Sequence, residues 1–383
     1  MSLTQSSSDR HTSNKRKSAM PAGAPPLGKF LASSEKHIRD KAVAALAKFL
    51  RGKQKAAFEQ QGDDDDITLT DDDWSHEWIP DSRLQDSEMA KLWKGVFFCF
   101  WMSDKPLVQQ ALAADLSSLV LEVRPSKPKD SSSVHPRVAR FRAAMCYLRG
   151  FWWATTREWS SLDRLRLDKF YLLIRRFVNV AFRLLERELW DLHAIREYNA
   201  LLTGPNGPLD VLNQRVPDSL AYHLSDIYID ELNKVCESES ASSSQTHNVP
   251  VVALLDPFLT TLAISPTSTL YTRVNDNVFK PLLDETLPEL DNVGPRKKKR
   301  RTVVGTDAQE AKYQAIYERS IEGRVSERQQ TDDVEPATIR KQFGVKLLQA
   351  VFDKGGQGDT TDVNRRRMYK LVKEKEDASG VEL

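Results

Sequence analysis

Apolar residues recur along most of this chain at steps of three and four, and the longest such run lies between Trp159 and Trp190. There Leu167, Phe170, Ile174, Phe177, Val178, Ala181 and Leu185 fall on one side of a helix turning about 100° per residue. No Gly or Pro interrupts them. Ser160, with Asp163 three residues later, reads as an N-cap with an acidic first turn. Lys169, Arg176, Arg183 and Arg187 share a second sector with Leu165, Leu172 and Val180. A helix apolar on more than one side must be gripped by neighbours on two sides. This stretch is the expected spine of a multi-helix domain.

The pattern on either side is also helical. Residues 1–27 are rich in Ser, Pro, Ala and basic residues without periodicity, which predicts a disordered tail. Ordered helices are expected over Phe30–Leu50, from Lys91 to Trp101, from Asp104 to Val123 and from Arg137 to Thr155. Further helices are expected on either side of Pro217, then over Val251–Ile264 and Thr269–Leu283. Between them lie an acidic insert (60–80), a polar loop (124–136), a Gly-Pro turn at 204–208 and a Ser-rich loop (237–248). Trp74 and Trp78 are unusual in an acidic loop and are expected to pin it to the body. Sustained period-two alternation is nearly absent. The expected fold class is therefore all-α, an irregular helical-repeat, HEAT-like solenoid over residues 28–290. No strict repeat is visible, so the stack is argued from helix pairing alone.

After Leu290 the character changes. Residues 291–383 read as a basic run followed by an extended tail with three short amphipathic candidates, at 307–319, 336–352 and 363–375. Isolated helices this short are marginal in water. They are expected to order on docking to partners, with Ile339, Phe343, Leu347 and Val351, at four-residue steps, as the partner-binding face.

Charge changes the picture only locally. The chain has 56 basic and 54 acidic residues, a net charge of +2, so nucleic-acid affinity would come from local segregation of charge. Arg296, Lys297, Lys298, Lys299, Arg300 and Arg301 form an unbroken basic run that reads as a nuclear-localisation signal or nucleic-acid patch. On the spine helix, Lys169, Arg175, Arg176 and Arg183 are the candidate RNA-binding residues, suited to phosphates rather than base edges. The competing reading is a solvated face with local ion pairs.

Chemistry does not emerge from the motifs. Phosphate-binding glycine motifs, HExxH and GxSxG are absent. His76-Glu77 lacks a second histidine four residues on, and Gly355-Gly356-Gln357-Gly358 follows no strand and reads as a flexible linker. His193 and His223 read as structural or solvated, and the eight tryptophans as core rather than base-stacking platforms. Catalytic, metal and cofactor residues are expected to be none. Three scattered cysteines, Cys99, Cys146 and Cys236, suggest reduced, packed thiols. With no apolar signal core and no spanning segment, the expectation is a soluble intracellular protein.

Several stretches are similar to the eukaryotic ribosomal RNA-processing protein 1 family, also called the nucleolar Nop fifty-two family. They are Phe30–Leu50 (FLASSEKHIRDKAVAALAKFL), Lys91–Gln110 (KLWKGVFFCFWMSDKPLVQQ), Asp163–Phe177 (DRLRLDKFYLLIRRF), Gly207–Leu232 and PLLDETL from Pro281. The resemblance runs in order over about residues 28–290 and fades beyond. It implies a non-enzymatic assembly factor of the large (60S) ribosomal subunit, in the nucleus and nucleolus, needed for precursor rRNA processing. The implied partners are a pre-ribosomal large-subunit particle, a Brix-domain factor, a β-propeller factor, a small RNA-binding factor, and pre-rRNA met directly or through them. No cofactor, membrane or small-molecule substrate is implied. The alternative expectation is a free nuclear helical-repeat adaptor, in transport or chromatin, independent of ribosomal RNA.

Overall fold

The computed structural model describes residues 27–52, 69–75, 83–125, 134–242, 247–289, 311–323 and 335–383. Helices are the regular elements of the described residues, which contain no strand. The first helices are α1 (Leu27–Leu31), α2 (Lys36–Arg51), α3 (Asp71–Ser75), α4 (Asp86–Trp101) and α5 (Pro106–Glu122). The centre is formed by α6 (Pro136–Glu158), α7 (Arg164–Arg187), α8 (Leu192–Thr203) and α9 (Asp218–Ser242). Next come α10 (Val251–Ile264), α11 (Ser268–Val274), a π-helical turn (Asn275–Phe279) and α12 (Lys280–Thr286). The last are α13 (Gln314–Arg319), α14 (Pro336–Gly356) and α15 (Asp362–Ser379). The fold is an all-α helical solenoid.

The spine helix is α7, and it is gripped from two sides, by α5 and by α9. Its start is not where the Ser160 pattern put it. Residues 159–161 form a single 3-10 turn, and Asp163 caps the helix by accepting from the N–H groups of Leu165 (3.0 Å) and Arg166 (3.1 Å). Its end is enforced by Leu189 and Trp190, which take left-handed backbone angles (φ 56° and 57°) and stop the winding, with Trp190 buried.

Two aromatic clusters hold the layers. In the first, Phe151 of α6 stacks on Phe177 of α7 with centroids 3.8 Å apart, and Trp93 of α4 meets Phe177 edge-on at 5.6 Å. The Trp93 indole donates to the Tyr147 carbonyl at 3.0 Å, which satisfies its one polar atom inside the core. That approach needs a glycine, since a Cβ on Gly150 would lie 2.2 Å from the Trp93 ring. In the second cluster Tyr228 of α9 sits between Phe182 (4.8 Å) and Phe258 (4.7 Å) and donates to the Leu254 carbonyl. Trp74 is buried edge-on against Phe141 and parallel to His193, so α3 lies on the body; Trp78 is outside the described residues. The three cysteines are buried and form no disulfide among the described residues, and burial pushes the Cys99 thiol up to about 11.

Three segments differ from expectation. Residues 204–217 are a run of turns and not a helix, so the region near Pro217 holds the single helix α9, which extends through the start of the Ser-rich stretch to Ser242. The glycines at 355–358 close α14 and turn directly into α15, with Gly355 against Tyr369, where a linker was expected. The largest difference is the C-terminal region, expected as loose docking peptides. Here α13, α14 and α15 pack on α9, α10 and α12, so their apolar faces are covered by their own chain.

Candidate nucleic-acid and partner surfaces

The expected RNA-binding residues on α7 separate into two groups. Arg176 and Arg183, seven residues apart and so on one stripe of the helix, are exposed. Arg175 beside them is partly exposed, and its guanidinium is 3.0 Å from Glu231 of α9. Glu231 is 3% exposed, and it also accepts from Asn179 (3.1 Å) and Lys234 (2.7 Å). The Arg175 cation is therefore largely spent on holding α7 to α9.

Lys169 departs from the expected role. It shares the stripe of Arg176 and Arg183 but is buried, and its ammonium donates to the carbonyls of Trp101 (2.7 Å) and Ser103 (2.8 Å). Those carbonyls lie at the C-terminal end of α4, where backbone acceptors lack helical partners and partial negative charge accumulates. Lys169 is a clamp between α4 and α7, turned away from any phosphate. Burial pushes its pKa down to about 8, against the pull of Asp104.

The same holds for the other interior charges. Arg137 pairs with Glu188 at 2.8 Å, with the two side chains 7% and 0% exposed, and Arg187 reaches the same carboxylate at 3.0 Å. Burial lowers the Arg187 pKa to about 10. His193 meets Asp71 at 2.7 Å, and His223 meets the Tyr171 carbonyl at 3.2 Å. Each polar group is used to join two elements. Sequence reasoning missed Glu188 and Glu231 altogether; the one available signal was an acid among apolar neighbours, such as Glu231 beside Tyr228 and Leu232.

The expected partner-binding face lies in the interior. Phe343, Leu347 and Val351 have no exposed surface, Phe343 packs on Tyr317, and Ile339 is half-buried against Gly323. A four-residue apolar stripe only requires cover, and here α10, α12 and α13 supply it. Neighbouring contacts reinforce this. Val249 and Ser320 form an isolated parallel bridge, and the Glu322 carboxylate caps α10 by accepting from Val251 (3.2 Å) and Val252 (2.8 Å). At the other end of α10, Asn364 donates to the carbonyls of Ala263 (3.2 Å) and Ser265 (2.9 Å). The basic run Arg296, Lys297, Lys298, Lys299, Arg300 and Arg301 lies outside the described residues.

A groove of about 360 Å³ between α9, α12 and α13 is lined by Asp226, Asp230, Asp284, Glu285, Lys312 and Tyr313. Its acids are answered within the chain: Asp226 by Arg273 (2.7 Å), Asp230 by Lys312 (3.0 Å), Asp284 by Lys375 and Glu285 by the Tyr317 hydroxyl (2.9 Å). No helix among the described residues is long and apolar enough to cross a membrane.

Comparison with known proteins gives these surfaces a context. A family described as "Nucleolar protein, Nop52" matches residues 22–372. The chain is 25% identical over 374 residues to human ribosomal RNA processing protein 1 homolog A, covering 92% of this chain and 70% of that protein. It is 28% identical over 382 residues to human homolog B, covering 91% of this chain but 42% of the relative. The Drosophila melanogaster homolog is 27% identical over 202 residues, covering 52% of this chain and 26% of that protein. The family match takes in both the spine helix and the C-terminal helices, and on it the chain belongs to the Nop52 family of nucleolar proteins.

Proposed function

We propose that this protein works in ribosomal RNA processing and ribosome biogenesis as a non-catalytic scaffold of nucleolar large-subunit (60S) precursor particles. The observation that carries this reading is the family match over residues 22–372, which runs from the first described helix well into α15. The relatives' names supply the process. The structure supports the scaffold role through its use of polar groups: the buried Lys169, Glu188, Glu231 and Asn364 each join one helix to another.

In this reading Arg176 and Arg183 touch pre-rRNA phosphates on the particle, and the run from Arg296 to Arg301 directs nuclear import. Brix-domain and β-propeller assembly factors are the neighbouring proteins on that particle. Two exposed arginines give a weak and salt-sensitive contact by themselves, so placement comes from protein neighbours and the arginines adjust it.

The test is depletion of the protein followed by pulse labelling of precursor rRNA, with rescue by the wild-type chain or by the double variant Arg176→Glu/Arg183→Glu. Large-subunit precursors should accumulate on depletion while small-subunit rRNA matures normally, and the double variant should rescue only in part. Unchanged large-subunit processing would remove the proposal. Full rescue by the double variant would remove the RNA contact alone.

A further inference from the structure

Between α8, α10 and α14 the surface dips into a second groove of about 380 Å³. Ile195 and Leu259, both buried, line it, and Leu192, 47% exposed, Val252, Ala253 and Ala350 widen its apolar wall. Its size sits at the lower end of the roughly 300–1,000 Å³ that ligand pockets span. That space suits one anchoring side chain and its flanks better than a whole helix.

Asn199 also lines the groove and is 8% exposed. Its amide nitrogen donates to the Ala253 carbonyl at 2.7 Å, and this fixes which end of the amide is the oxygen. The Oδ1 atom has no hydrogen-bond partner among the described residues. An acceptor buried without a donor costs about 1–3 kcal/mol, so a donor arriving in the groove is rewarded. The rim adds charge. Asp256 and Asp353 are exposed carboxylates, Arg196 of α8 is an exposed guanidinium on the same lining, and the Lys354 ammonium is held 3.4 Å from Asp359. With one guanidinium against two carboxylates the rim stays acidic by one charge, and beside an unmet acceptor that excess favours donors and cations.

We propose that this groove docks a segment of a partner protein that carries one bulky apolar side chain flanked by Lys or Arg. The apolar side chain covers Ile195, Leu259 and Leu192. A backbone or side-chain N–H of the segment meets Asn199 Oδ1, and its cation lies between Asp256 and Asp353. The proposal rests on the groove alone and does not depend on RNA contact by α7.

The experiment places the photo-crosslinking amino acid p-benzoylphenylalanine at position 192 of the full chain in cells. Crosslinked peptides are sequenced, and the captured segment is then synthesised with a fluorescent label and titrated against the purified full chain. The expected result is a protein segment with a large apolar residue within three positions of Lys or Arg. Its binding should weaken at least tenfold in Asp256→Lys/Asp353→Lys, both exposed positions whose replacement leaves the melting temperature unchanged. No crosslink, a crosslink to RNA or to a second copy of this chain, a captured segment without a basic residue, or titration unaffected by charge reversal would each overturn the proposal.

Discussion

Glu188 has no exposed surface, yet it holds two guanidinium groups, those of Arg137 and Arg187. Removing the carboxylate takes from both guanidinium groups the buried ion pair that Glu188 makes with them. Glu188→Gln should therefore lower stability by about 3–5 kcal/mol, read as a shift in the urea midpoint. Lys169 makes a different prediction. Its folded pKa, about 8, lies below the ordinary lysine value of 10.5. Between those two values the unfolded chain retains a proton that the folded chain has released, so this residue makes stability rise with pH across that window. Buried tyrosines oppose it near the top of the window, because their raised pKa values make stability fall as the unfolded chain ionises. The difference between wild type and Lys169→Met, measured from pH 7.5 to 10, isolates the lysine. A parallel dependence in both proteins would contradict the assignment. From the sequence alone Lys169 looked like Arg176 and Arg183, since steps of seven put all three on one stripe. What turned it inward was a pair of carbonyls on another helix, and periodicity carries no information about those.

At the scale of elements, the apolar face of α7 and its two-sided grip were legible, because three- and four-residue spacing is set by helix geometry itself. Its N-cap was misplaced by three residues because Ser160 and Asp163 both satisfy the capping rule, and only the turn at 159–161 decides between them. The C-terminal helices show the opposite limit. Their amphipathic pattern was plain, but a pattern states that a face needs cover and not which chain covers it. Gly344 of α14 marks how close the cover lies, since a Cβ there would fall 2.4 Å from Thr286 Oγ1 and 2.8 Å from Leu287 Cγ. Gly344→Val should push α14 from α12 and speed amide exchange across residues 336–379, while the exchange of α4 and α6 stays as in wild type. Uniform protection in the variant would mean that α14 is not held by this contact.

For the whole molecule, the helices from α1 to α15 are joined by charged and polar groups buried between them, among them Lys169, Glu188 and Glu231. The candidate surfaces were only partly legible. The exposure of Arg176 and Arg183 was legible because charge on the polar side of an amphipathic helix can be read from one segment. The groove around Asn199 could not be, because α8, α10 and α14 bring together residues more than 150 positions apart in the chain. Sedimentation of the tagged full chain from nuclear extract, with and without ribonuclease, and with precursor rRNA probed in each fraction, tests the central claim most directly. The account predicts migration with large, ribonuclease-sensitive particles that carry large-subunit precursor. Migration as a small complex indifferent to ribonuclease would contradict it and favour a free helical adaptor.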